Sequence, residues 1–155
     1  MVQRLDAIET LAKVEQVFFD KTGTLTEDRL TYRGQVASGG ADAAQDRSTL
    51  ERAAALAGWS QHPASRALAD AVPEAHALHL WRDVEEVPGS GLQALDPQGR
   101  CWRLGSWAWV HRDGPGGSGD AVREDADLWF GQVGSAPAGF LLDEVLRAGA
   151  EQAVR

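Results

Sequence analysis

A short apolar run, Val17-Phe18-Phe19, stops at Asp20 and is followed at once by the polar, glycine-containing turn Lys21-Thr22-Gly23-Thr24-Leu25-Thr26. An apolar run of this length, bounded by a turn, reads as a buried strand. An aspartate at the carboxyl end of such a strand points into the crevice where open α/β sheets bind ligands. The turn after it offers backbone N–H groups, and Gly23 lets the chain come close to a phosphate. Lys21 and the hydroxyls of Thr22 and Thr24 add positive charge and donors for phosphoryl oxygens. A carboxylate so placed can be the nucleophile of a covalent phosphoryl transfer.

The remaining sequence is divided by its turn and cap residues. Leu5, Ile8, Leu11 and Ala12 recur at helical spacing and predict a short amphipathic helix over 5–12. Residues 34–47, rich in glycine, alanine, aspartate and serine, read as a loop or weak edge hairpin. Ser48-Thr49-Leu50-Glu51 has the capping-box pattern, which starts a helix there that runs to about Ala57 and stops at Gly58. Pro63 suits the first turn of a second helix, with His62 at or beside its N-cap and Ala67, Leu68, Ala71 and Val72 facing inward. Pro73 ends that helix. Strand-like stretches between Leu80 and Asp96 flank Pro88-Gly89-Ser90-Gly91. Asp96-Pro97-Gln98-Gly99 has a type I turn signature, so Leu92–Leu95 should pair with Arg100–Leu104. Gly114 to Gly119 reads as a mobile loop, 127–133 and 138–142 as a last pair of strands, and 143–154 as a helix. Helices set between antiparallel strand pairs define an α+β sheet domain.

Composition narrows the partners. Asp plus Glu number 23 against 15 Lys plus Arg, a net charge of -8, and no basic stripe appears, so no nucleic acid is expected. No apolar run approaches the ~18 residues that span a bilayer. The first residues lack the apolar core of a signal peptide, so the expectation is a soluble, cytosolic piece of protein with both ends resembling torn edges. Cys101, the single cysteine, excludes an internal disulfide and fits packing in the hairpin. His76 and His79 have helical spacing but no third ligand for a metal.

The heptad Asp20-Lys21-Thr22-Gly23-Thr24-Leu25-Thr26 resembles, residue for residue, the phosphorylation signature of the P-type ATPases. Related phosphatases of the haloacid-dehalogenase-like superfamily carry a second acid two positions after the nucleophile, which speeds hydrolysis of the aspartyl phosphate. Thr22 stands there, and the resemblance implies a phosphoenzyme that persists long enough for a pump to change conformation. Ser60-Gln61-His62-Pro63 resembles the Ser-Glu-His-Pro element of the heavy-metal (type IB) branch, whose histidine contacts adenine. Pro88-Gly89-Ser90-Gly91-Leu92 resembles the branch's Gly-x-Gly element, and Leu104-Gly105-Ser106 its Gly-Asn element. Phe140-Leu141-Leu142-Asp143, then Leu146-Arg147, resembles the return into the phosphorylation domain.

The resemblance thus implies ATP and Mg²⁺ as cofactors. Asp20, Lys21 and Thr22 would be catalytic, with Asp20 and Thr22 giving part of a Mg²⁺ shell. His62, Gly89, Gly91, Leu92, Gly105 and Ser106 would bind the nucleotide. It implies an antiparallel twisted sheet flanked by helices over 29–136, with fragments of a haloacid-dehalogenase-like phosphorylation domain at 1–28 and 137–155. The chain would belong to the cytoplasmic head of an inner-membrane pump for a heavy-metal cation, Cu(I) by resemblance. Its partners would be the rest of the phosphorylation domain and the actuator and membrane domains, and the transported ion would bind outside this segment.

Three positions depart from the branch. Ala57 replaces a glutamate thought to accept from the adenine amino group, a loss that resembles copper pumps linked to cytochrome oxidase assembly. Gln61 replaces the motif's glutamate, and Ser106 its asparagine. Poor discrimination between ATP and GTP is therefore expected, unless the Gln61 carbonyl turns inward. Trp59, near His62, is a candidate for the adenine pocket. The Gly-Asp-Gly loop and lysine that complete the family's phosphorylation site do not follow Asp143, so this segment alone is not expected to turn over. A small haloacid-dehalogenase-like phosphatase and a non-enzymatic nucleotide-binding module are the competing readings.

Overall fold

In the computed structural model, which describes residues 13–20, 24–36, 43–113 and 125–153, the turn at Asp96 forms as its sequence requires. Its Oδ1 accepts from the backbone N–H groups of Gln98 (3.0 Å) and Arg100 (2.9 Å). The Gly99 N–H donates to the Asp96 carbonyl at 2.9 Å. This pins the register of the hairpin on either side: Leu92 faces Leu104, Ala94 faces Trp102, and Leu95 faces Cys101.

The chain divides into two compact units, Arg29–Val145 and a smaller one of Met1–Asp28 with Leu146–Arg155. In order, the elements are β1 (Thr26–Val36), α1 (Ala43–Ala57), α2 (Pro63–Ala71), a 3₁₀ helix (Pro73–Leu78), β2 (Arg82–Val87), β3 (Gly91–Leu95), β4 (Cys101–Gly105), α3 (Trp107–Val110), β5 (Leu128–Gln132), β6 (Ala138–Leu146) and α4 (Ala150–Ala153). The larger unit is an α+β domain built on one six-stranded sheet, ordered β1-β6-β5-β4-β3-β2. Each pair from β2 through β6 is antiparallel.

Strand alternation selects the core face. Leu92 and Ala94 of β3 are buried while their neighbours are half-buried. Leu104, Phe130 and Phe140 continue the same core, and α1 closes it with Ala53, Ala54, Leu56 and Ala57, all fully buried. Alanine both favours the helix and lets it lie close to the sheet. Trp81, Trp102 and Phe130 meet at ring-centroid distances of 5.1–5.9 Å. Trp129, next to Phe130, points to the opposite face, where Trp107 of α3 meets it edge-on at 4.6 Å.

Several expectations need correction. Helix α1 begins at Ala43, so Ser48 lies inside it and the capping-box pattern caps nothing. Of the supposed 34–47 loop, 34–36 belong to β1 and 43–47 to α1. Ala71 is exposed, and Val72 carries the inward contact. Residues 143–146 are strand rather than helix: the Thr31 hydroxyl donates to the Asp143 carbonyl (3.3 Å) and Arg33 pairs with its carboxylate (3.6 Å). Residues Ala138–Leu146 form one strand, β6, and the compact units divide after Val145.

In the smaller unit, Val17-Phe18-Phe19 is not a buried strand. No strand ladder includes 14–20, and Phe18 is 90% exposed. An apolar pattern needs a partner strand to satisfy its backbone groups, and the described residues supply none there. The Arg147 N–H donates to the Leu25 carbonyl at 2.9 Å and its Nε to Thr26 at 3.0 Å. The predicted 5–12 helix, the Gly114–Gly119 loop, and Lys21, Thr22 and Gly23 lie outside the described residues. No described helix is long and apolar enough to cross a membrane.

Candidate nucleotide-binding cleft

His62 is the N-cap of α2, with extended backbone and Pro63 at the first helical position. Its Nδ1 accepts from the Ala64 N–H at 3.3 Å. In the neutral ring that bond places the proton on Nε2, so the exposed imidazole presents a donor edge and a ring face.

The β2–β3 turn lies opposite. The Ser90 N–H donates to the Val87 carbonyl at 3.0 Å, and the Ser106 N–H donates to the Ser90 carbonyl at 3.1 Å. The turn and the end of β4 touch backbone to backbone. A Cβ on Gly91 would lie 2.1 Å from the Leu104 carbonyl oxygen, and one on Gly105 would lie 2.2 Å from that of Ser90. These two glycines are thus required by packing. Gly89 differs: its φ is +73°, and a Cβ there would meet nothing within 4 Å.

Together these elements form a cleft of about 530 Å³. His62, Gly89, Gly91, Leu92 and Ser106, spread over 45 positions of sequence (62 to 106), all line it. Gly105 does not, but it backs the turn that does. Ser106 caps α3 without a side-chain capping bond.

The sequence did not single out Glu86 or Asp127 as cleft residues, nor the role of Ser60 there. The Ser60 hydroxyl donates to Glu86 Oε1 at 2.7 Å. Asp127 Oδ2 accepts from the Leu142 N–H at 2.8 Å. Among the described lining residues no Lys or Arg appears. The only sequence signal for Glu86 was its place just before Val87-Pro88-Gly89.

Three expectations are redirected. Ala57 is completely buried and lies outside the cleft lining. The Gln61 carbonyl accepts from Arg66 Nη1 at 2.8 Å and is likewise outside it. Trp59, 64% exposed, does not line it either. Asp20 is exposed. Among the described residues no group of three or more His, Cys, Asp or Glu side chains forms a metal cage. Cys101 is half-buried, and burial pushes its thiol up from its usual pKa.

The chain is 36% identical to nitrogen fixation protein FixI of Rhizobium leguminosarum bv. viciae, over 99% of its own length and 19% of that protein's. It is 37% identical to the probable copper-transporting ATPase SynA of a Synechococcus species, over 71% of this chain and 14% of the relative. Its fold matches the N-domain of HMA6, a copper-transporting P-type ATPase, with a TM-score of 0.56 at 22% identity, covering 75% of this chain and all of that one. No family model matches. Sequence and fold place the chain among the heavy-metal (type IB) P-type ATPases, of which it spans less than a fifth of the relatives' length.

Proposed function

We propose that the chain is the ATP-binding segment of a heavy-metal cation pump, that its cleft holds the nucleoside end of ATP, and that Asp20 is the carboxylate phosphorylated in the whole protein. One observation carries this reading: residues from three separate motifs line a single cleft. A volume of about 530 Å³ suits a small ligand. With two carboxylates and no Lys or Arg on its described lining, the cleft favours the uncharged base and ribose over the triphosphate. Leu92 and Leu128 supply apolar surface, and His62 supplies the ring face and donor.

In the proposed reaction an Asp20 carboxylate oxygen attacks the γ-phosphorus, the bond from that phosphorus to the β–γ bridging oxygen breaks, and ADP leaves with the electron pair. Mg²⁺ would neutralise the developing phosphoryl charge. Asp20, which is exposed, and Thr22 would hold part of its shell, the rest coming from the phosphates, water and the part of the phosphorylation domain outside this segment. Thr22, where a phosphatase would place its second acid, gives no base to activate water, which disfavours the phosphatase reading. Copper is the proposed cargo, because SynA is named for it. Placement in the cytoplasmic head of a membrane pump belongs to the same proposal.

The test is an NMR titration of the 155-residue chain with ATP. Shifts should concentrate at Gly89, Gly91, Ser106 and the start of α2. Shifts confined elsewhere would remove the cleft from the reading. In the intact pump, Asp20→Asn should abolish turnover and spare ATP binding; turnover retained there would also exclude the pump reading, while a phosphatase would hydrolyse simple phosphate esters.

A further inference from the structure

We propose that Glu86 reads the base: its free carboxylate oxygen accepts from the exocyclic amino group of adenine, a role the sequence resemblance gave to position 57. The inference rests on the proposed nucleotide cleft and adds to it the residue that sets base specificity.

Ser60 is 3% exposed and its hydroxyl makes two bonds. It accepts from the His62 backbone N–H at 3.0 Å and donates to Glu86 Oε1 at 2.7 Å. The end of β2 is thereby tied to the N-cap of α2, and Glu86 is joined through Ser60 to the backbone of His62. Both residues line the same cleft. With Oε1 held by Ser60, Oε2 remains to accept from a ligand. The two positions that the sequence put forward for reading the base do not serve: Ala57 is buried without a polar side chain, and the Gln61 carbonyl is engaged by Arg66 outside the cleft. Asp127, the second carboxylate of the cleft, is held at Oδ2 by the Leu142 N–H and has no such tie to His62.

A carboxylate at this point discriminates by sign. Adenine presents an amino donor at C6, where guanine and hypoxanthine present a carbonyl. The first is attracted and the second repelled, and an unpaired polar edge in a cleft is costly. ATP preference is therefore retained although position 57 is alanine.

Calorimetric titration of the 155-residue chain with ATP, GTP and ITP decides it. The wild type should bind ATP at least tenfold more tightly than GTP or ITP. Glu86→Ala should bring the ATP-to-GTP and ATP-to-ITP ratios to within about twofold. Removing a negative charge could tighten every triphosphate, so the ratio rather than the affinity is the readout. Glu86→Gln, whose amide can face either base, should also collapse the ratio. Glu86 is exposed at a strand end, so neither change opens the core. Ser60→Ala, which frees the carboxylate, should lower the ratio partway. Ratios unchanged in both Glu86 variants, with ATP still weakened by His62→Gln, would overturn the role of Glu86 and leave the cleft reading standing. A ratio that falls in Asp127→Asn and not in Glu86→Gln assigns the base to the other carboxylate and also overturns it. No binding of any nucleotide would sink both proposals together.

Discussion

The guanidinium of Arg52 lies over the ring of Trp102, 3.9 Å from its centroid. The same group stands 5.4 Å from the Trp81 ring, and its Nη2 is 3.7 Å from Asp96 Oδ2. Arg52 belongs to α1 and Trp102 to β4, so this stack fastens the helix to the sheet beside the buried Asp96. A partly desolvated cation over an indole stabilises by about 0.5–2 kcal/mol. Arg52→Ala should therefore cost ~1–2 kcal/mol in urea unfolding. Arg52→Lys should restore less than half of it, because an ammonium has no planar face to stack. Full recovery with lysine would mean that charge alone is at work.

Asp96 is 1% exposed and carries the hairpin turn, the Arg100 ion pair at 2.7 Å and the Trp102 indole bond at 3.1 Å. Burial raises its pKa, but the bonds from the Arg100 backbone, the Trp102 indole and the Arg100 guanidinium outweigh this and hold it at about 2, below the ordinary 3.8. A carboxyl depressed on folding contributes stability that is complete above its unfolded value and is lost as pH falls through its folded one. The Asp96 contribution should thus be constant from neutral pH to above 4, then decline between about pH 4 and 2. Asp96→Asn should melt at a lower temperature than wild type at pH 7, with the gap closing toward pH 2. A gap that stays constant across that range would show that Asp96 stabilises by shape alone.

The cleft glycines should separate by role. Gly91→Ala places a methyl 2.1 Å from a backbone oxygen at φ +145°, which nothing nearby can relieve. It should destabilise by roughly 3 kcal/mol or more, with folding lost before binding can be judged. Gly89→Ala meets no atom within 4 Å and carries only the left-handed penalty, about 1–2 kcal/mol. Its methyl projects into open space at the cleft, so it should weaken ATP binding more than its stability loss explains. Thermal melts with ATP titrations on both variants check the contrast.

What the sequence made legible was local chemistry with a fixed geometry. The Asp96-Pro97-Gln98-Gly99 turn and the strands on either side formed in the expected pairing, and His62 caps its helix. Such features depend on a few adjacent residues. The start of α1 was hidden because alanine lacks the bulk to mark a helical stripe, while Ser48 inside it imitates a cap. Asp143 and Glu144 looked like a helical surface, yet they extend β6, where side chains from β1 reach Asp143. Glu86 was hidden as a cleft residue because its place just before Val87-Pro88-Gly89 says nothing of its own role. It becomes meaningful only when folding brings Ser60, 26 positions away, within 2.7 Å.

His62 combines two roles that one pair of substitutions can part. Its Nδ1 caps α2, and its Nε2–H edge and ring face are left for the ligand. Asparagine is among the best N-caps, so His62→Asn should keep the helix start and a near-wild-type melting temperature. It lacks a ring, and ATP affinity should fall by about 1–2 kcal/mol, the worth of one stacking and hydrogen-bonding group. His62→Gln should lose similar affinity and, in addition, up to ~1 kcal/mol of stability through poorer capping. Melting curves and calorimetry on the two variants separate the roles. ATP bound by His62→Asn as tightly as by the wild type would show that the imidazole touches no nucleotide, and that its place in the cleft follows from capping α2.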